Sequence, residues 1–146
     1  MQLRAPEANH ISELLALLVA FTKTRRQVLA NNINKMDASG FFPQDLAIDE
    51  FSDVMNNAIS EYLVHQRILL VDTDTIHFGP NMSLELESVS DGQAHALLQH
   101  DRQAYVGYQT KRLLENALNE KVALKLLKTK HIEPSAHQTP IENRLL

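Results

Sequence analysis

Cysteine and tryptophan are both missing from these 146 residues, and only five are Phe and four are Gly. Without cysteine there are no disulfides and no thiolate metal ligands, a state compatible with an oxidising or a reducing compartment. Few aromatics beside abundant Leu, Ile, Val and Ala favour helix–helix packing over an aromatic-rich β-sandwich. So little glycine leaves no phosphate-cradling loop and no nucleophile elbow, so no catalytic residue is expected. The formal charge of −4 comes from 18 acids and 14 bases scattered along the chain. No basic block stands ready to neutralise phosphates, and nucleic acid is not expected as a partner. The longest apolar run, Leu14 to Phe21, is too short to span a bilayer, and no basic segment followed by a small-residue cleavage site opens the chain. A cleaved signal and a membrane helix are therefore not expected.

What is present is 44% hydrophobic residues, enough for the core of one domain. Ile11, Leu14, Leu15, Leu18, Phe21, Val28, Leu29 and Ile33 recur at three- and four-residue steps, which predicts a helix over 10–34, ~38 Å long at about 1.5 Å per residue. Asn9 or Ser12 is its candidate cap. Thr22 and Arg25 interrupt the stripe, and Lys23, Arg25 and Arg26 read as a solvated basic face in the second half, where the helix dipole favours cations. Asn31, Asn32 and Asn34 crowd the helix end, and Gly40 and Pro43 mark a turn. Asp49 to Tyr62 carries a second stripe, Phe51, Val54, Met55, Ala58, Ile59 and Tyr62, with Asp49 as its cap, expected to pack on the first helix.

Ile68 to Val71, Thr75 to Phe78 and the alternating Leu84 and Leu86 predict two or three short strands within 67–89, with Ile68, Leu70, Leu84 and Leu86 turned toward one face. From Gly92 to Lys130 a helical stripe returns with Leu97, Leu98, Tyr105, Tyr108, Leu113, Leu114, Leu118, Val122 and Leu127. Unbroken, it would be ~57 Å long. The expected fold is mainly α: long N- and C-terminal helices packed as an antiparallel, coiled-coil-like pair, with a short helix and a small β insertion between them. One domain covers 1–146, divided into a flexible lead-in (1–9), the N-terminal helix, turn and short helix (10–66), the extended insertion (67–90), the C-terminal helix (91–130) and a loose tail (131–146) containing Pro134 and Pro140. Leu17 and Val19 fall outside the main stripe of the first helix, an excess of apolar surface that implies partners. Tyr105 and Tyr108 read as core packing, with the alternative that part of their stripe faces another subunit.

The histidines do not assemble into a ligand set. His95 and His100 are five residues apart, whereas facing ligands on a helix need three or four. Asp72-Thr73-Asp74 opens like a calcium loop, but glycine is missing at its sixth position and Ser83 stands where a bidentate Glu is needed, so it reads as a turn. No metal, cofactor or small-molecule substrate is expected.

The segment Asn32-Ile33-Asn34-Lys35-Met36-Asp37-Ala38-Ser39-Gly40-Phe41 resembles the N-terminal signature of flagellar basal-body rod proteins, a helix ending in Asn-Ile-Ala-Asn-x-x-Thr-Pro-Gly-Tyr. Asn34 and Lys35 stand in place of that pattern's Ala and Asn, and Ala38 and Ser39 in place of its Thr and Pro. Thr75, His77 and Pro80, then Asp91-Gly92 and Tyr108-Gln109, are similar to features of the FlgB-type proximal rod branch. The resemblance implies a structural subunit that assembles helically with itself and with other rod and basal-body subunits through its terminal helices. It would be exported without a cleaved signal by the flagellar type III apparatus and located in the periplasmic rod. Asn32, Ile33, Gly40, Phe41 and Tyr108 are then the expected assembly residues. The competing classes are a cytosolic helical adaptor or chaperone that binds a partner helix, and a small enzyme with an unrecognised site.

If the turn after Ile33 sets how subunits meet, Ile33→Asp spares the monomer's helicity and abolishes incorporation into the basal body. If Ile33 only closes the subunit's own core, the same change first costs about 2–4 kcal/mol. Circular-dichroism melting set beside motility and rod fractionation separates the two.

Overall fold

The first and last helices, α1 (Arg4–Asn34) and α4 (Arg102–Leu145), lie against each other, and every other element is strung between them. A computed structural model describes the backbone of residues 4–145 and the side chains of 10–129. In chain order the intervening elements are β1 (Gln44–Asp45), α2 (Ile48–His65), β2 (Ile76–Phe78), a 3-10 turn (Pro80–Met82), β3 (Leu84–Leu86), β4 (Val89–Ser90) and α3 (Gly92–His100). β1 pairs with β4 and β2 with β3, both antiparallel. The fold is mainly α with a small β part, as expected.

α1 makes two sets of buried contacts of different chemistry. In one, Phe21 stacks on Phe51 of α2 at 4.0 Å between ring centroids. Leu46 and Ile76 complete that cluster, and Leu18, Val28, Met55, Phe78, Leu84 and Leu86 pack around it. The β2–β3 register puts Ile76 opposite Leu86 and Phe78 opposite Leu84, which share the face toward this core, while His77 and Glu85 form the pair between them. Complete burial of one such side chain stabilises by roughly 1.5–3 kcal/mol.

The other set joins α1 to α4, largely through polar groups. Tyr105, Gln109, Asn116, Glu120 and Ala123 are buried at steps close to the heptad pattern of a coiled-coil seam. Asn32, 1% exposed, donates from Nδ2 to the Gln44 carbonyl at 2.7 Å and to Gln109 Oε1 at 3.0 Å. Its Oδ1 accepts from the Gln44 N–H at 3.0 Å, and its backbone carbonyl accepts from the Tyr105 hydroxyl at 2.7 Å. Farther along, Asn116 Nδ2 donates to the Thr22 carbonyl at 2.7 Å and Arg26 pairs with Glu120 at 2.8 Å. With Asp37 joined to Arg102 at the opposite end, these contacts set the two helices antiparallel.

Several expectations are corrected. α1 begins at Arg4, so 4–9 is helix and not lead-in: Pro6 sits in the first turn, where its missing N–H forfeits no helical bond. Residues 1–3 lie outside the described ones. At the other end α4 continues to Leu145, where a loose tail was expected; each proline removes one backbone donor, and good helix formers such as Glu133, Ala136 and Glu142 occupy the turns around them. The side chains of that stretch, and Leu146, lie outside the described residues.

The single helix expected over 92–130 is split at Asp101. Its backbone leaves the helical region while its N–H closes α3 on the Leu97 carbonyl, and its Oδ1 accepts from the Ala104 N–H to start α4. Asp91 caps α3 in the same way through Ala94. In α2 the expected cap does not form: Asp49 lies in the first turn, Ala47 occupies the cap position without a side-chain bond, and Gln66 ends the helix at φ 60°. Ile68 to Val71 form no strand, having no described strand to pair with; Ile68 and Leu70 are only half-buried, and Leu69 and Val71 are exposed. Arg25 is 4% exposed and so is not part of a solvated face, and Leu17 and Val19 are buried within the chain, so they leave no excess apolar surface on α1.

Replacing Asn32 by Ala removes three side-chain hydrogen bonds from a buried site and leaves the Gln44 peptide unsatisfied. The expected loss is about 2–4 kcal/mol, read as a lower urea midpoint with an unchanged slope.

Candidate functional site

Between α1, β1 and α4 a single carboxylate collects two guanidinium groups. Asp45, held on β1 by its pairing with Val89, receives Arg25 Nε at 2.8 Å on Oδ1 and Arg25 Nη2 at 2.9 Å on Oδ2. Arg112 Nη1 also donates to Asp45 Oδ2, and the Leu46 N–H donates to Oδ1 at 2.6 Å. The bidentate fork is the geometry in which an arginine loses least freedom per bond formed. Arg112 also lies over the Tyr108 ring at 4.5 Å from its centroid and stands 3.9 Å from Asp91. Tyr108 donates its hydroxyl to Asp91 Oδ2 at 2.9 Å, so the carboxylate that caps α3 is tied to α4 as well. Burial foremost, and then this bond, push the Tyr108 phenol up to about 12, with the Arg112 charge pulling the other way.

This network floors an open cleft of about 730 Å³ whose walls include Asp49, Glu50, Asp53, Glu115, Asn119 and Gln93. Arg25 and Arg112 both pair with Asp45, so the remaining wall charge is negative. Among the described residues lining the cleft there is no histidine and no cysteine. Nearby, the Thr73 and Thr75 hydroxyls donate to Glu50 Oε1, which lowers its pKa and draws the loop after α2 back onto that helix. The turn at Asp72-Thr73-Asp74 is closed by the Thr73 hydroxyl, which accepts from the Ile76 N–H at 3.1 Å. Among the described residues no group of three His, Cys, Asp or Glu side chains is placed to hold a metal ion, and no helix is long and apolar enough to cross a membrane.

A second feature lies on the surface. α4 presents Val106, Leu114, Leu118, Val122, Leu124 and Leu126 to solvent, and α2 presents Ile59, Leu63 and Val64. The side chains α4 buries against α1 are mostly polar, while its larger aliphatic ones point outward. A helix with that distribution carries an apolar surface beyond what its own chain covers.

The five residues singled out by sequence fall in three places. Asn32 is internal, joining α1, β1 and α4. Ile33 is half-buried beside it, and the turn that follows reaches Gly40 at φ +75°, a backbone conformation that any other residue type but Asn or Asp adopts at a cost. Phe41 is half-buried, and its neighbour Phe42 stacks on His95 at 4.1 Å. Tyr108 belongs to the Asp45 network. The structure thus brings Asn32 against α4, the helix that carries Tyr108, but leaves Gly40 and Phe41 at the turn. Arg25, Asp45 and Arg112 were not foreseen, although a signal existed: Leu18, Phe21, Arg25, Val28 and Asn32 keep an unbroken three–four step, so two polar residues stood at core-facing positions.

No protein-family model matches the chain, and no match is found among curated proteins or among solved structures.

The Tyr108 phenol holds its proton in the folded chain above the ordinary value of 10.0, as does Tyr105, chiefly through burial. Stability from both is full below that value and declines as pH rises above it, for Tyr108 toward about 12, because the unfolded phenols ionise first. Urea titrations across this range should show that slope, and Tyr108→Phe should reduce it to the part owed to Tyr105.

Proposed function

We propose that this chain is a structural subunit of the bacterial flagellar basal-body rod, nearest to the proximal rod protein. It assembles through its terminal helices with copies of itself and with other rod subunits, after passage through the flagellar type III exporter. The observation that carries this reading is the antiparallel packing of the first helix on the last, together with the aliphatic face that α4 turns outward. The Asn-Ile signature supports it at the end of α1, where Asn32 ties that helix to the strand and the helix it must stay aligned with. In this role the polar seam fixes the subunit's shape and the outward aliphatic face meets neighbours. A cytosolic adaptor that binds a partner helix would use the same face, and the two are separated by genetics.

Deleting the gene in its native bacterium is expected to remove rods from basal-body preparations and to abolish swimming. The wild-type gene restores both. Leu118→Asp, at a position 56% exposed, restores neither although it changes monomer stability by no more than about 0.5 kcal/mol. A deletion strain that swims and builds rods overturns the reading.

A further inference from the structure

The outer faces of α2 and α4 carry matching patterns in opposite order. Along α2 the exposed side chains begin with Asp49 and Asp53 and end with Leu63 and Val64, 68% and 70% exposed. On the outer face of α4 Leu114 and Leu118, 61% and 56% exposed, are followed by the exposed Lys121, Lys125 and Lys128, with the exposed Lys111 ahead of them and Val122, Leu124 and Leu126 along the flanks. Asp49 to Leu63 and Leu114 to Lys128 each cover fourteen residue steps. Both are therefore ~21 Å long. Laid antiparallel, acids meet lysines at one end and aliphatic side chains meet at the other; laid parallel, both matches are lost.

The two faces cannot pair within one chain. On α4 these residues project on the side opposite Asn116, Glu120 and Ala123, which are buried on the side of α1. On α2 they project opposite Phe51, Val54 and Ala58, which are buried in the chain's own interior, and Asp49 and Asp53, although they also border the cleft, are open to solvent.

We propose that the partner on the outer face of α4 is α2 of a second copy of this chain, docked antiparallel. Such a contact is heterologous: each copy uses a different face from its neighbour and keeps one face free, so copies add in a row. The contact deepens the reading of the chain as an assembling subunit and rests on it. Its strength falls with salt, because its specificity comes from exposed charges.

The test is sedimentation velocity of the purified full chain over a range of concentrations at low and high salt. Association is expected at low salt and to weaken about tenfold or more at high salt. Asp49→Lys with Asp53→Lys, and separately Lys121→Glu with Lys125→Glu and Lys128→Glu, each lower association about tenfold. Mixed in equal amounts, the two variants recover it, since each then offers the face the other lacks. A merely structural role for these charges gives no such recovery. Should the α2 variant fail to fold, Leu63→Gln with Val64→Gln replaces it and must lower association to the same extent. A wild-type chain that stays monomeric, variants that associate as the wild type does, or a mixture that does not recover overturns the contact. These outcomes are independent of the motility result: a swimming deletion strain overturns the rod and leaves the contact standing. A monomeric chain from a bacterium that loses its rods on deletion does the reverse.

Discussion

A single buried carboxylate decides where three elements can sit. Asp45 lies on a two-residue strand that would be marginal alone, yet it holds Arg25 of α1 in a fork and reaches Arg112 of α4. Taking these groups out of water costs several kcal/mol per ion, which their attraction and hydrogen bonds offset only in good geometry. The cluster is therefore a weak source of net stability and a strict source of position. Any shift of β1 along α1, or of α4 past either, leaves a buried charge unmatched. Asn32, about two helical turns beyond Arg25, applies the same rule with amides.

That division of labour explains the distribution of side chains in α4. A coiled-coil pair built on aliphatic knobs would have turned Leu114, Leu118 and Val122 inward and tolerated sliding by a heptad. Here the inward positions hold Gln109, Asn116 and Glu120, each matched to one partner on α1. The aliphatic side chains are left for the outside. An internal seam that specifies one alignment and an external aliphatic surface are thus separate features, and this chain places them on opposite sides of one helix.

The helices were legible in the sequence because apolar residues at three–four steps have few other ways to be buried. Phe21, Phe51 and Leu29 are in the core as the stripe requires, and the turn at Gly40 has the positive φ that glycine permits. Polar residues at the same phase were harder to read. Arg25 reads as a solvated base because a lone charge is seldom buried, and its partner Asp45 lies 20 positions away in a segment without periodicity. The break at Asp101 escaped notice because one capping side chain does what a proline or a turn cluster does elsewhere, without altering the apolar pattern. The β1–β4 pairing was invisible for a further reason: two-residue strands are too short for alternation to register.

The two sets of contacts made by α1 also impose an order of events on a chain made from its N-terminus. The aromatic and aliphatic set finds its cover by Leu86, whereas the polar set waits for α4, with bonds such as Thr22 to Asn116 and Arg26 to Glu120 closing over 94 residues. Until then the polar groups of that set, the Asn32 amide and the Arg26 guanidinium among them, lie open to water beside the apolar Val19 and Leu29. The half-made chain has covered its aromatic cluster, and the aliphatic side chains it still shows on α2, Leu63 and Val64 foremost, stay exposed in the finished chain as well, so a pause before the last helix adds little to the surface open to aggregation.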